Sequence, residues 1–338
     1  MKILTPLFTV CFIIFCTISY SQELNDGPYV FIESNGLVQK SIVDGKVVSE
    51  VLNVTAYDTI YTPETSVFSG VEKIAALSDI HGQYDLAVEI LKNNKIIDEA
   101  LNWSFGKGHL VIVGDVFDRG SKVNEMLWLI YTLEQQAKAN GGHLHFLLGN
   151  HEYMVLHKDL RYVHDSYLEV GTLLNLAYDE LYDNSTIIGR WLRSKSTILR
   201  LNNNVFVHGG ISQDFLATIG FDIETINQSM RTSIDISKAE LKATDFYTNY
   251  YGKTGPIWYR GYFNDKLDDV VIDDVLSQTN SEHIVVGHCS FDEVIRVYDG
   301  KIFGVDSSIK KGIYGELLFI EDGRYYRGTR DGTLKEFE

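Results

Sequence analysis

Five short apolar runs, each ending beside glycine on a residue able to hold a metal or a phosphate, constrain this chain more than any other feature. Residues 71–77 run into Ser78-Asp79-Ile80-His81-Gly82, and residues 110–113 into Gly114-Asp115-Val116-Phe117-Asp118-Arg119-Gly120. Residues 144–148 are followed by Gly149-Asn150-His151-Glu152, residues 205–207 by His208-Gly209-Gly210, and residues 284–286 by Gly287-His288. Runs of this kind read as buried strands, and longer helix-like stretches alternate with them, as in an α/β domain. Sites in such folds form in the crevice beyond the carboxyl ends of the strands, so side chains far apart in sequence are expected to converge there. Any one of these residues alone reads as a cap or a satisfied polar group. The ordered set points to chemistry.

The flanking segments divide the chain. Lys2, a mostly apolar run over residues 3–18, and then Ser19-Tyr20-Ser21-Gln22 read as an export signal over residues 1–21, cleaved near Ser21. Pro6 and the modest length argue against a spanning anchor, and bulky Phe15 argues against a lipoprotein at Cys16. Cleavage leaves Cys289 as the one cysteine of three, so no internal disulfide is expected in the mature chain. The expected product is exported, periplasmic or extracellular, without stable membrane association. Residues 22–70 read as a β lead-in, with strand-like pieces at 29–32, 46–48 and 51–54 and turn signals at Asn35-Gly36 and Asp44-Gly45. Residues 71–338 read as the catalytic domain, with 153–200 as a mainly helical cap insertion. Strand-like runs at 317–320 and 324–327 are expected to complete a second sheet.

A formal net charge of -16 over 338 residues should repel nucleic-acid backbones and anionic lipid, so neither is expected as a partner. An anionic substrate must then be drawn in by a local positive feature such as a metal centre.

The Asp-x-His, Gly-Asp-x-x-Asp-Arg-Gly and Gly-Asn-His-Glu set resembles the calcineurin-like metallophosphoesterases, and within them the phosphoprotein phosphatases. Phe206-Val207-His208-Gly209-Gly210 and Gly255-Pro256-Ile257-Trp258-Tyr259-Arg260-Gly261 make the bacterial Shewanella-like protein phosphatases the nearer likeness. Ser78 departs from the glycine usual in the wider family. The resemblance implies a β-sandwich of two mixed sheets flanked by helices. It also implies two divalent ions, for which mixed imidazole and oxygen ligands suit manganese, iron or zinc. Asp79, His81 and Asp115 would hold the first ion. Asp115, Asn150, His208 and His288 would hold the second, with Asp115 bridging. His151 would be the general acid, oriented by Asp118. Arg119 and Arg260 would grip the phosphate, Tyr259 would line the pocket with Trp258, and Glu152 would stand behind the ligands. The implied reaction is hydrolysis of a phosphate monoester by direct attack of a metal-bound hydroxide. The implied substrate is a phosphorylated peptide or protein (phosphotyrosine, or phosphoserine and phosphothreonine) or a small phosphomonoester.

Two other functions fit the same residues: a diadenosine tetraphosphatase-like nucleotide hydrolase, and a catalytically idle secreted binding protein. Cleavage of a dinucleotide polyphosphate ahead of a phosphotyrosine peptide would favour the first. A missing ligand would favour the second, and none is missing. A cysteine-phosphatase mechanism at Cys289 is disfavoured because no glycine-rich loop surrounds it and Arg296 lies too far along the chain. His109, His143, His145, His157, His164 and His283 are expected to be surface or hydrogen-bonded residues. Tyr153, Tyr162, Tyr167, Tyr178 and Tyr182 of the cap could form a wall that stacks on an aromatic substrate or pack in the core, and packing is the favoured expectation.

Overall fold

The structure, a computed structural model, describes residues 24–337, so the expected export signal lies outside it. Its first element is a three-stranded antiparallel sheet of β1 (Asp26–Glu33), β2 (Gly36–Val43) and β3 (Lys46–Leu52). Asp44 and Gly45 both take positive φ (49° and 70°), the conformation that closes a two-residue hairpin with the twist strands prefer. The pieces expected at 46–48 and 51–54 merge into β3, and β2 was not anticipated. β1 buries Tyr29, Val30 and Phe31, packing on the helices Val123–Ala139 and Ile187–Leu192. Trp128 Nε1 donates to the Pro28 carbonyl at 2.7 Å and fixes the contact.

After β4 (Val67–Phe68) come β5 (Lys73–Leu77), β6 (His109–Ile112) and β7 (His143–Phe146), then β8 (Ile198–Leu201), β9 (Asn204–Val207) and β10 (His283–Val286). The last strands are β11 (Ile295–Val297), β12 (Ile302–Gly304), β13 (Glu316–Glu321), β14 (Arg324–Thr329) and β15 (Leu334–Glu336). They form two six-stranded sheets, ordered β15-β14-β13-β5-β6-β7 and β11-β12-β10-β9-β8-β4. The C-terminal strands extend the sheet of β5, because β13 pairs antiparallel with it (Phe319 opposite Ala75), and the second sheet is built from β4 and β8–β12.

Period-two alternation explains why the sheets stack. Ile74, Ala76, Val111 and Val113 from one sheet meet Leu199, Phe206, Val285 and Phe303 from the other in a dry inter-sheet layer. Their neighbours Ala75, Leu77, Leu110, Ile112, Val205 and Ile284 point the opposite way, into the larger core shared with the helices. Buried on both faces, these strands read as continuous apolar runs. Each Val, Leu, Ile or Phe among them contributes about 1.5–3 kcal/mol by leaving water, so a charge at Val111 would break the sandwich.

Register then places the site. Leu77, Ile112 and Phe146 are aligned across parallel β5, β6 and β7, so the loops carrying Asp79, Asp115 and Asn150 leave side by side. Val207 and Val286 are aligned across parallel β9 and β10, which brings His208 and His288 together. The cap contains the helices Asn150–Leu156, Asp165–Leu174 and Ile187–Leu192, and its end, from Ile198, is strand β8. A second helical run from Gln213 to Thr279, not anticipated from sequence, separates β9 from β10.

Candidate metal centre

The backbone under the centre is unusual before any side chain is considered. Asp79, His81, Asp115, Asp118, Arg119 and His288 all have φ between 47° and 71°, the left-handed region that side chains disfavour. Each such residue costs about 1–3 kcal/mol and persists only where its surroundings over-determine it. Here they do. Glu152, fully buried, accepts backbone N–H bonds from Gly149 (2.7 Å), Asp115 (2.8 Å), Val116 (2.7 Å) and Phe117 (3.1 Å). The first loop is tied to the second through His81 N to Asp115 O (3.0 Å) and Gly120 N to His81 O (3.0 Å). Gly149 is required because a Cβ there would collide with Asp115 Oδ1 and the His208 ring.

The side chains on these loops converge, and what converges is lone pairs. His81 Nδ1 donates to the Phe117 carbonyl at 2.7 Å, which turns Nε2, buried and without a hydrogen-bond partner, toward Asp79 Oδ1 (3.7 Å) and Asp115 Oδ2 (3.6 Å). His208 Nδ1 donates to the Val113 carbonyl at 2.8 Å. Its Nε2 faces Asn150 Oδ1 (2.9 Å), His288 Nδ1 (3.1 Å) and Asp115 Oδ2 (3.2 Å). Two groups of potential ligands result, His81 with Asp115 and His151, and Asp115 with His208 and His288; Asp115 belongs to both. Acceptor atoms gathered at such distances, away from water, call for positive charge among them, a proton on His208 or a bound cation in its place. The donor set fits divalent ions held by imidazole and oxygen.

The charges reflect that demand. Burial pushes the Asp115 carboxyl up, but His208 and His151 hold it well below the usual carboxylate range, and His81 and His208 do the same for Asp79. Burial pushes the His208 imidazole down, yet Asp115 and Asp79 more than reverse this and lift it to about 9. His288 is driven well below the usual range by burial and by His208 and Arg260.

Around this core lie the remaining residues expected from sequence. His151 Nδ1 meets Asp118 Oδ2 at 2.5 Å, and its Nε2 faces the centre, 3.9 Å from Asp115 Oδ2 and 3.4 Å from Arg119 Nη2. Burial lowers the His151 pKa, but Asp115 and Asp118 outweigh it and hold the ring above its ordinary value. Arg260 Nη1 donates to the His288 carbonyl at 2.9 Å and so reaches the second ligand group. Trp258 touches the centre, its ring 5.4 Å from that of His288, whereas Tyr259 packs one step away on Tyr262 at 5.2 Å. Cys289 is buried, with Arg260 Nη1 3.8 Å from Sγ, and burial pushes its thiol up, away from nucleophilic use.

Two residues at the centre escaped the sequence reading. Asp306, fully buried, accepts from Ser290 Oγ (2.6 Å) and Lys310 Nζ (2.9 Å), and Lys310 also lies 3.8 Å from Asp79 Oδ1. A signal was available: Ile302-Phe303-Gly304-Val305 is one more apolar run ending on a carboxylate.

The calcineurin-like phosphoesterase pattern matches residues 72–289, the stretch that builds both ligand groups. The chain belongs to that family. The phosphoesterase is 41% identical to the cold-active protein-tyrosine phosphatase of a psychrophilic Shewanella species, with a TM-score of 0.89 over 93% of this chain and 100% of that one. It is 28% identical over 259 residues to an uncharacterised protein of Schizosaccharomyces pombe, covering 73% of this chain and 76% of the relative. It is also 25% identical over 310 residues to Shewanella-like protein phosphatase 2 of Arabidopsis thaliana, covering 78% of each. Metal-dependent hydrolysis of phosphate esters is therefore the phosphoesterase's chemistry.

Proposed function

We propose that the chain is a two-metal protein phosphatase that acts on phosphate monoesters and favours phosphotyrosine. The observation that carries this is the convergence of acceptor atoms on Asp115 with the His151–Asp118 pair and Arg119 at its edge. The resemblance to a protein-tyrosine phosphatase over nearly the whole chain gives the preference its direction. Asp79, His81 and Asp115 would hold one ion, and Asp115, Asn150, His208 and His288 the other, drawn from manganese, iron or zinc. When bound, such ions supply Lewis acidity toward phosphoryl oxygens and the attacking water.

The chain's own residues do the rest. Arg119 and Arg260 orient the phosphate through planar guanidinium forks. A water oxygen forms the new bond to phosphorus as the ester P–O bond breaks. The electron pair leaves on the ester oxygen, which takes the Nε2 proton of His151; the proton lost by the water restores the imidazolium. Asp118 holds the ring at Nδ1 throughout.

The test is hydrolysis of a phosphotyrosine peptide by chelator-stripped protein with single metals added back, beside Asp115→Asn. Turnover restored by metal and lost in the variant is expected; turnover indifferent to both would overturn the reading. We further propose export after removal of residues 1–21, checked by N-terminal sequencing of the mature protein; an intact Met1 on the exported chain would reject it.

A further inference from the structure

Of the five cap tyrosines, Tyr153, Tyr167, Tyr178 and Tyr182 are buried, as packing requires, but Tyr162 is 46% exposed. Its position is nevertheless fixed. The Tyr162 carbonyl accepts the Arg119 backbone N–H at 2.8 Å, which ties the cap loop to the loop that carries the phosphate-gripping guanidinium. The Tyr162 ring lies 5.3 Å from the ring of His151, tilted by 49°. The Arg119 and Arg161 guanidinium carbons lie 5.8 Å and 5.5 Å from its centroid. Arg161 is in turn held by Asp159 at 2.7 Å, and Lys238 reaches the same carboxylate at 3.2 Å.

The reaction's geometry gives this ring a task. The ester oxygen that leaves must come within hydrogen-bond reach of His151 Nε2. Whatever that oxygen is attached to therefore emerges beside His151, where Tyr162 stands. A serine ester places a methylene there, too small to use a ring. A tyrosine ester places a second aromatic ring there, and aromatic rings pair favourably, offset or edge-on, at centroid separations of about 4.5–7 Å.

We infer that Tyr162 is the specificity-determining residue of the leaving-group side, a half-exposed aromatic shelf that selects aryl over alkyl phosphate esters. The inference rests on the phosphatase reading above and names what that site prefers. Steady-state kinetics on matched phosphotyrosine and phosphoserine peptides test it in Tyr162→Ala and Tyr162→Phe. For Tyr162→Ala, kcat/KM on the phosphotyrosine peptide should fall about tenfold, mostly through KM, and on the phosphoserine peptide less than about twofold. Tyr162→Phe should keep the preference, because the ring and not the hydroxyl does the selecting. Calorimetric titration of the metal-loaded enzyme with phenylphosphonate and inorganic phosphate should show the first weakened and the second unchanged in Tyr162→Ala. Equal losses on both peptides would make Tyr162 a support for His151, and no loss on either would make it a bystander; each overturns the inference. Absence of wild-type turnover on both peptides would defeat the phosphatase reading, while the phenylphosphonate titration would still decide whether Tyr162 holds an aryl group.

Discussion

Strands β6 and β7 carry His109, His143 and His145 and lead at their carboxyl ends into the metal centre, where one imidazole, His208, is treated in the opposite way. At the amino ends His109 Nδ1 bonds His145 Nε2 at 2.9 Å, and the rings of His109, His143 and His145 surround Phe68 at 5.0–5.4 Å. Burial pushes His109 down to about 4 and His145 well below the usual range. At the metal centre His208, which follows β9 of the facing sheet, is equally buried, yet Asp115 and Asp79 raise it to about 9, while His288 beside it is kept well below the usual range by burial, His208 and Arg260. Burial alone makes histidine a neutral packing residue. It becomes part of a centre that seeks a cation when carboxylates share its cavity and too few N–H groups are there to satisfy them.

Changes at the carboxyl ends should therefore remove function and changes at the amino ends should not. Asp115→Asn belongs to both ligand groups and should lose more than the roughly 100-fold typical of removing an outer partner of a metal ligand. It should lose metal as well, read by elemental analysis of dialysed protein. His151→Gln should cost about 100-fold or more in kcat while metal content stays unchanged. Asp118→Asn should cost about 10–100-fold, with the alkaline limb of the pH–rate profile moved to lower pH, because His151 loses the carboxylate that helps hold its proton.

A smaller effect concerns the proton that His208 carries when no metal is bound. Metal must displace it, so affinity should rise with pH by up to about tenfold per unit and level off near pH 9. Manganese titrations at several pH values check this, and a flat profile would place the exchanged proton elsewhere.

The smallest effect belongs to the amino ends. His109, His143 and His145 have folded pKa values below their unfolded ones, so the unfolded chain binds their protons more readily. The stability they confer is present above about pH 6.5 and is lost as pH falls toward 4. Denaturant midpoints across that window should fall in the wild type and flatten in His109→Leu/His145→Leu, with activity at pH 7.5 within about twofold of wild type.

How much of this was legible in the sequence follows from locality. Asp79, Asp115, Asn150, His208 and His288 could be read because each follows closely on a short, mostly apolar run, a pattern carried by adjacent residues. β2 was missed because Gln39, Lys40 and Ser41 interrupt its apolar pattern while its ends are tucked in by pairing on both sides. The pairing of β13 with β5 joins residues far apart in the chain, and no local pattern states which edge a late strand will find. Lys310 was invisible for the same reason, and Tyr162, read as one of the packing tyrosines of the cap, could not be placed beside His151. Their neighbours at the centre, Asp79 and His151, come from other segments of the chain.

One feature of the metal centre reaches further than its geometry. Because Glu152 clamps four backbone amides of the ligand loops, the cost of ordering those loops is met when the chain folds, not when metal arrives. Ion uptake should then bury almost no new apolar surface and carry a heat-capacity change near zero. The protein should pass between empty and loaded forms without partial unfolding, so that the ions it carries would be set by supply in its surroundings as much as by its own selectivity.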